Sequence, residues 1–260
     1  MDISFSRLNM LWRCGEQYRR RYVKNEIIPP GINLIVGSAT HDSIEKNLQN
    51  KIDKKELLTA DVVADIARDG VTARIDNQEI KLSEEEQSAG LTATKGTAVD
   101  TAVGLSRLHH GQLAPIIEPV TIEDPFKLKI SGTEHIINGR IDIVEPAAIR
   151  DTKTTSMVRS GAADQSLQLT MYGLAKLTSG QEIKSYKIDN LVKTKVPKVV
   201  TLETTRTKAD FEMLLRRIAN GVKQIDAGIF PPSNPENWWC SKKWCGFHDS
   251  CPYMVNKEII

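Results

Sequence analysis

Three side chains near the middle of the chain are of types that do metal and acid–base chemistry when they meet: Asp142, Asp151 and Lys153. They lie in the stretches Gly139-Arg140-Ile141-Asp142-Ile143-Val144 and Ile149-Arg150-Asp151-Thr152-Lys153-Thr154, separated by Glu145-Pro146 and two alanines. Both stretches are β-branched and bounded by a turn signal, which predicts two strands of a hairpin. Residues two apart share a strand face, so Asp151 and Lys153 point the same way, while Ile141 and Ile143 point to the core and Asp142 away from it. The hairpin can then set Asp142 beside Asp151. Two readings stay open at this point. One is a cross-strand ion pair, worth roughly 0.2–1 kcal/mol. The other is a hard-cation site, since carboxylate oxygens suit Mg²⁺ or Mn²⁺, which keep several waters and take few protein ligands.

The four cysteines form a second constellation: Cys14 near one end, then Cys240, Cys245 and Cys251 near the other. The first residues are polar (Asp2, Ser4, Ser6), without an apolar core of the signal-peptide kind. No run approaches the ~18 apolar residues of a membrane span. The expected location is therefore the cytoplasm, where thiols stay reduced and disulfides are disfavoured. Four thiolates suit zinc or a [4Fe–4S] cluster, and the spacing does not choose between them.

These groups need a scaffold. Leu8, Leu11, Trp12, Tyr18 and Tyr22 are spaced for one helix from Ser4 to about Tyr22. Further helices are expected from Asn33 or Gly37 to Gln49, from Lys54 to Arg68, and from Ser83 (Ser83-x-x-Glu86 being a capping pattern) or near Thr92 to Gly111. Strands are expected at 115–123, 126–131, 134–144 and 147–154, then a helix at 162–177 and a hairpin of 183–196 with 198–204. A last amphipathic helix, Thr207 to Ala227, should turn Phe211, Leu214, Leu215, Ile218, Val222 and Ile225 inward. The expectation is an α/β or α+β core with an N-terminal helical insertion, read as one domain over 1–260: helical to 112, sheet and helices over 113–228, and a cysteine-rich tail over 229–260.

With 40% hydrophobic and 26% charged residues and a net charge of +2, the composition is that of an ordinary globular chain and argues neither for nor against nucleic acid. The arginines cluster, however. Arg19-Arg20-Arg21 follow Arg7 and Arg13 in one segment, either a solvated helix face or a phosphate-binding strip. No G-x-x-x-x-G-K-[ST] phosphate loop occurs, so any motor must be a separate partner.

Asp on one strand followed by Asp-x-Lys on the next resembles the core of PD-(D/E)XK nucleases. Gly37-Ser38-Ala39-Thr40-His41 resembles the G-x-x-x-H motif of the RecB-like branch, and Gln168-Leu169-Thr170-Met171-Tyr172 its Q-x-x-x-Y motif. Ser4-x-Ser6-x-Leu8, with Cys14, Tyr18 and Tyr22, resembles its N-terminal helix. The resemblance implies a restriction-endonuclease-like core, a mixed central sheet flanked by helices. It also implies Mg²⁺ or Mn²⁺ held by His41, Asp142, Asp151 and the Thr152 carbonyl. Lys153 would orient water or meet charge on the phosphate, and Gln168 and Tyr172 would position the strand or a water. One cysteine in the first helix and three at the end is the layout of RecB-like nucleases with an iron–sulfur cluster. This implies a [4Fe–4S] cluster on Cys14, Cys240, Cys245 and Cys251, joining the two ends, with Zn²⁺ as the alternative.

The chain departs from the pattern at Ile141 for proline, Asp151 for Glu, Gly15 where Pro usually follows the first cysteine, and a Cys240–Cys245 gap longer than C-x-x-C. Glu45 and Glu118 are further acids that could face a metal or serve structure alone. The resemblance extends to CRISPR-associated RecB-like exonucleases, phage exonucleases and the nuclease domain of helicase–nuclease subunits. It implies a DNA exonuclease acting on single strands or ends in recombination, repair, phage replication or CRISPR adaptation, with DNA and a separate helicase, recombinase or adaptation protein as partners and no membrane. Arg13, Arg19, Arg20 and Trp238 are the expected DNA contacts. A restriction-type endonuclease and an inactive DNA-binding module are the competing classes.

Overall fold

A computed structural model describes residues 1–255. Strands β1 (Asp2–Ser4), β2 (Thr121–Lys129), β3 (Ile136–Val144), β4 (Ala148–Thr155), β5 (Ser185–Val192) and β6 (Lys198–Thr204) form one sheet in the order β1-β3-β4-β5-β6, with β2 also on β3. The sheet is mixed: β1–β3 and β4–β5 are parallel, β3–β4 and β5–β6 antiparallel. The chain resolves into two compact units. A terminal unit holds Met1–Pro29, Lys129–Asn138 and the chain from Met213 onward; a central unit holds Pro30–Leu128 and Gly139–Glu212.

In the central unit β4 is the middle strand, and Ala148 through Thr152 are all buried. A strand buried on both faces needs helices on both faces. On one, Ile143 and Leu191 join α3 (Ile32–Lys54), α4 (Ala60–Asp76) and α6 (Leu91–Gln112). On the other, Ile141, Val144 and Ile149 pack with Leu169 and Tyr172 of α7 (Leu167–Thr178) and with Tyr186 and Ile188 of β5. Because β4 and β5 are parallel they need a crossover, and α7 supplies it. The fold is the expected α/β class, a mixed sheet flanked by helices.

Several boundaries differ from expectation. The helix expected over 54–68 starts at a Thr59 N-cap and runs to Asp76, because the buried set Val63, Ala67, Val71 and Ile75 continues the stripe. Both starts expected for the fourth helix are real. Ser83 caps α5 (Glu84–Ala89) with a full capping box, then Gly90 at φ 82° breaks the chain and α6 restarts at Leu91. The three strands expected between 115 and 144 are two, with Pro125 inside β2.

The terminal unit starts from β1, whose Ser4 caps α1 (Phe5–Arg13) by accepting the Arg7 N–H. The single helix expected to Tyr22 does not form. Cys14 is extended (φ −163°, ψ 112°), and the chain resumes as α2 (Gly15–Tyr18) and a π-helical turn, Arg19–Val23. The break has a cause: the Gly15 N–H donates to the Pro231 carbonyl at 2.8 Å, and Tyr18 stacks on Phe230 with ring centroids 5.5 Å apart. Helix α8 (Lys208–Asp226) brings Gly221 against Leu8, Leu11 and Trp12. Of its expected inward residues Leu214, Ile218 and Val222 are buried, whereas Leu215 is exposed and Phe211 and Ile225 are half-buried. The true stripe is narrower, and Gly221 belongs to it.

Gly15 explains one departure from the family pattern. A proline there would lose the N–H to Pro231, and a Cβ would sit 2.5 Å from the Phe230 carbonyl carbon. Overpacking against backbone costs roughly 1–3 kcal/mol. Gly15→Ala is therefore expected to lower the melting temperature clearly. Gly96→Ala, in an open helical position with nothing within 4 Å, should instead raise stability by about 0.5–1 kcal/mol. Thermal melts of the two variants check this.

Candidate active site

Four elements of the central unit converge on β4. Ladder pairing of β3 with β4 covers Val144–Ile149 and Ile143–Arg150. Just beyond that ladder, Asp142 Oδ2 accepts the Thr152 N–H at 3.2 Å, which brings Asp142 to β4 next to Asp151. Helix α3 brings His41. Its Gly37, one turn earlier, lies so near β4 that a Cβ would be 3.1 Å from Thr154 Oγ1. The glycine thus lets α3 approach, and His41 Nε2 reaches the Thr152 carbonyl at 2.7 Å, with Nδ1 3.9 Å from Asp142 Oδ2.

On the other side α7 supplies Gln168 and Tyr172, one turn apart. A single hydrogen-bond chain runs through them. Lys153 Nζ donates to Asp151 Oδ1 (2.9 Å) and to Gln168 Oε1 (3.1 Å); Gln168 Nε2 donates to the Tyr172 hydroxyl (2.6 Å), which donates to Asp142 Oδ1 (3.4 Å). The structure thus brings together His41, Asp142, Asp151, Thr152, Lys153, Gln168 and Tyr172, which lie far apart in sequence.

Electrostatics single out Asp151. It is fully buried, its Oδ1 is paired to Lys153, and among the described residues its Oδ2 has no hydrogen-bond partner. Burial pushes its carboxyl up to about 7, with Lys153 opposing and Asp142 adding to the rise. Desolvation lowers the Lys153 ammonium, but Asp151 and Asp142 outweigh it and the net shift is upward. Tyr172 is raised by burial and then by Asp142 and Asp151, so it stays a donor. A desolvated carboxylate with a bare oxygen is compensated by a cation. Among the described residues no three His, Cys, Asp or Glu side chains enclose an ion by themselves. The donor set nevertheless fits Mg²⁺ or Mn²⁺, which bind through one or two carboxylates and retain waters. His41 Nε2 hydrogen-bonds with the Thr152 carbonyl at 2.7 Å, so these two candidate ligands adjoin one another.

The sequence reading missed two features. Glu123, at φ 49° in β2, has its carboxyl raised by burial and then by Asp142 and Glu45, so it faces the same acidic corner. Strand alternation does not mark it, because its backbone leaves the strand conformation. The second feature lies on the opposite face of β4. Buried Arg150 donates to Glu145 Oε2 (2.6 Å) and Asp189 Oδ2 (2.9 Å), tying the β3–β4 turn to β5. Of the acids named beforehand, Glu45 is exposed, and Glu118 is 73% exposed and ion-paired to Lys51.

In the terminal unit the Cys240 thiol is raised by burial and, beyond a Ser233 hydrogen bond that lowers it, by Cys14, Cys245 and Cys251, but among the described residues no three cysteines are grouped as the ligands of a metal ion. Cys14 Sγ accepts the Ser233 N–H (3.4 Å) and Cys245 Sγ accepts from Gln17 Nε2 (2.9 Å). Arg20 is buried rather than available to DNA. It donates to Glu26 Oε2 (2.7 Å), to the Ser250 carbonyl (3.1 Å) and to Ser250 Oγ (2.8 Å), and lies over the Phe247 ring. Arg19 is ion-paired to Glu16. Among the described residues Arg13 hydrogen-bonds only to the Gln17 amide oxygen, and Trp238 is 61% exposed.

A paired-acid-and-lysine site on a mixed sheet between helices defines a class. The family model of the PD-(D/E)XK nuclease superfamily matches residues 2–252, and the chain belongs to that superfamily. A crystal structure of a candidate exonuclease from Eubacterium rectale is similar in fold, with TM-score 0.56 and 12% identity over 93% of this chain and 87% of that one. The structure of SSO0001 aligns at TM-score 0.44 and 14% identity over 98% of this chain and 87% of that one. No curated protein matches the chain in sequence. No helix among the described residues is long and apolar enough to cross a membrane.

Because Asp151 is raised above its ordinary 3.8 to about 7, the folded metal-free protein holds a proton there that the unfolded chain has already lost. Its contribution to stability is therefore lost as pH rises from about 4 to about 7. A cation bound to Asp151 would have to displace that proton. Added Mn²⁺ or Mg²⁺ is expected to raise the melting temperature more at pH 8 than at pH 6, and Asp151→Asn to abolish this difference. An equal shift at both pH values contradicts the assignment.

Proposed function

We propose that this chain is a Mg²⁺- or Mn²⁺-dependent deoxyribonuclease that degrades DNA from an end. The observation carrying the reading is the buried Asp151 carboxylate with one oxygen tied to Lys153 and the other bare, beside Asp142, His41 and the Thr152 carbonyl. His41, Asp142, Asp151 and the Thr152 oxygen would hold the ion. Bound there, it supplies Lewis acidity and a coordinated water of lowered pKa. The Tyr172 hydroxyl, itself held by Gln168, donates to Asp142 Oδ1, while Oδ2 lies on the His41 side. Lys153 lies at the rim with its side chain 44% exposed, where its ammonium can meet charge building on a scissile phosphate.

The resemblance to the RecB-like branch supports DNA as substrate and end-dependent action in recombination, repair, phage replication or CRISPR adaptation, beside a separate helicase, recombinase or adaptation protein. It likewise supports a [4Fe–4S] cluster on Cys14, Cys240, Cys245 and Cys251. The influence of the other three cysteines on Cys240 and the N–H donors on two of the sulfurs support that reading. Such a cluster ties the first helix to the tail and constrains the unfolded chain.

End-labelled linear single strands, linear duplex and closed circles, incubated with Mg²⁺ or Mn²⁺, are expected to show loss of linear DNA and persistence of circles. Asp142→Ala, Asp151→Ala and Lys153→Ala should each cut the rate by about 10²–10³ or more without changing the fold. Rapid linearisation of supercoiled plasmid would move the protein to the endonucleases. Binding without cleavage would make it an inactive module, and near-full activity of Asp151→Ala would sink the site.

Protein purified without oxygen should be brown and carry about four irons per chain. Cys14→Ala should destabilise as severely as Cys245→Ala. Colourless protein with one zinc per chain hands the cysteines to zinc, and a wild-type melt for Cys14→Ala removes it from the ligand set.

A further inference from the structure

The terminal unit contains a cavity of about 330 Å³ between α1, α8 and the chain after Phe230, whose walls include Trp12, Arg13, Arg217, Gln224, Asn237 and Trp239. Among the described residues no acid lines it. Arg217 lies over the Trp12 ring, 4.9 Å from its centroid, and Arg13 is fixed by the Gln17 amide oxygen at 2.7 and 3.1 Å. Among the described residues neither guanidinium is paired with a carboxylate. Two uncompensated cations in an acid-free cavity attract an anion. The volume is at the small end of the roughly 300–1,000 Å³ typical of ligand clefts. That suits one nucleotide.

A run of indoles leads out of the cavity. Trp239, whose Nε1 donates to Ser233 Oγ, meets Trp238 edge-on at 5.5 Å, and Trp238 meets Trp244 edge-on at 5.2 Å. Trp238 and Trp244 are 61% and 55% exposed, and Lys243 lies over the Trp244 ring. Exposed aromatic faces beside cations are the means by which proteins hold single strands without reading sequence.

We infer that this cavity binds one nucleotide of a single DNA strand, with the phosphate on Arg13 and Arg217 and the neighbouring bases stacked along Trp238 and Trp244. The inference rests on the nuclease reading for its choice of DNA, but not on the catalytic residues. Gln224 and Asn237 offer amide groups to a base edge, which tolerates any base. Arg217 is the residue that sequence spacing does not reveal, since on α8 it reads as an exposed charge.

The test is anisotropy of a fluorescein-labelled 15-residue oligo-dT with the full-length protein in EDTA, where no cleavage occurs. Arg217→Gln is expected to weaken binding roughly tenfold or more. It should also reduce the slope of log K against log salt by about 0.7, as for one lost single-strand phosphate contact. Arg216→Gln removes the same charge one position away, outside the cavity, and should change binding less than about twofold. Trp238→Ala should weaken binding roughly tenfold with the salt slope unchanged. Equal effects of Arg216→Gln and Arg217→Gln, or none from Arg217→Gln, overturn the inference. So does competition by dTMP as effective as that by unlabelled oligo-dT, which would mean a free nucleotide rather than a strand. Failure of the wild type to cleave any DNA would strike the nuclease reading and leave the Arg217 result standing.

Discussion

Burying a carboxylate in the middle of a sheet is unfavourable by several kcal/mol unless something holds the charge, and the central unit is organised around that problem at Asp151. The side chain is fully shielded, Lys153 meets one oxygen, and the other has no donor. Folding alone leaves the group half-compensated, so its proton is held to about pH 7. The surrounding hydrogen bonds serve this arrangement: Gln168 and Tyr172 hold Asp142, the Thr152 N–H turns its Oδ2 inward, and His41 closes over the Thr152 carbonyl.

The two faces of β4 treat charge in opposite ways. Arg150, one residue from Asp151 and so on the other face, is buried with its guanidinium bonded to both Glu145 and Asp189; Asp189 also accepts from Thr201 at 2.6 Å. That network is closed and rigidifies the strand. The Asp151 face is left incomplete. A fully satisfied network behind an under-satisfied one keeps the reactive face in place, since a buried polar network resists rearrangement once its members are paired.

The terminal unit applies the same distinction to its arginines. Arg20 is paired with a carboxylate and bonded to tail carbonyl oxygens, and so fastens the tail to the π-helical turn, while Arg19 is neutralised by Glu16. Arg13 and Arg217 have no such partners among the described residues and line a cavity. Charge clustering along the chain therefore identifies a basic segment, but the role of each guanidinium depends on which acids the fold delivers to it.

The sequence by itself determined the parts governed by short-range rules. Strand alternation set Asp151 and Lys153 on one face, and the Glu145-Pro146 turn brought the strand of Asp142 against that of Asp151. The four-residue spacings placed Gly37 with His41 and Gln168 with Tyr172 on common helix faces. The capping box at Ser83, the β5–β6 hairpin and the α/β class were legible for the same reason. Tertiary structure decided what depends on partners distant in the chain. The Phe230–Pro231 backbone broke the first helix at Cys14; the path of β2 turned Glu123 toward Asp142 and Glu45; and α1 chose the narrow stripe of α8 and aimed Arg217 at Trp12. Periodicity assigns a side chain to a face, whereas desolvation and pairing depend on what packs against that face, which is decided only when the whole chain closes.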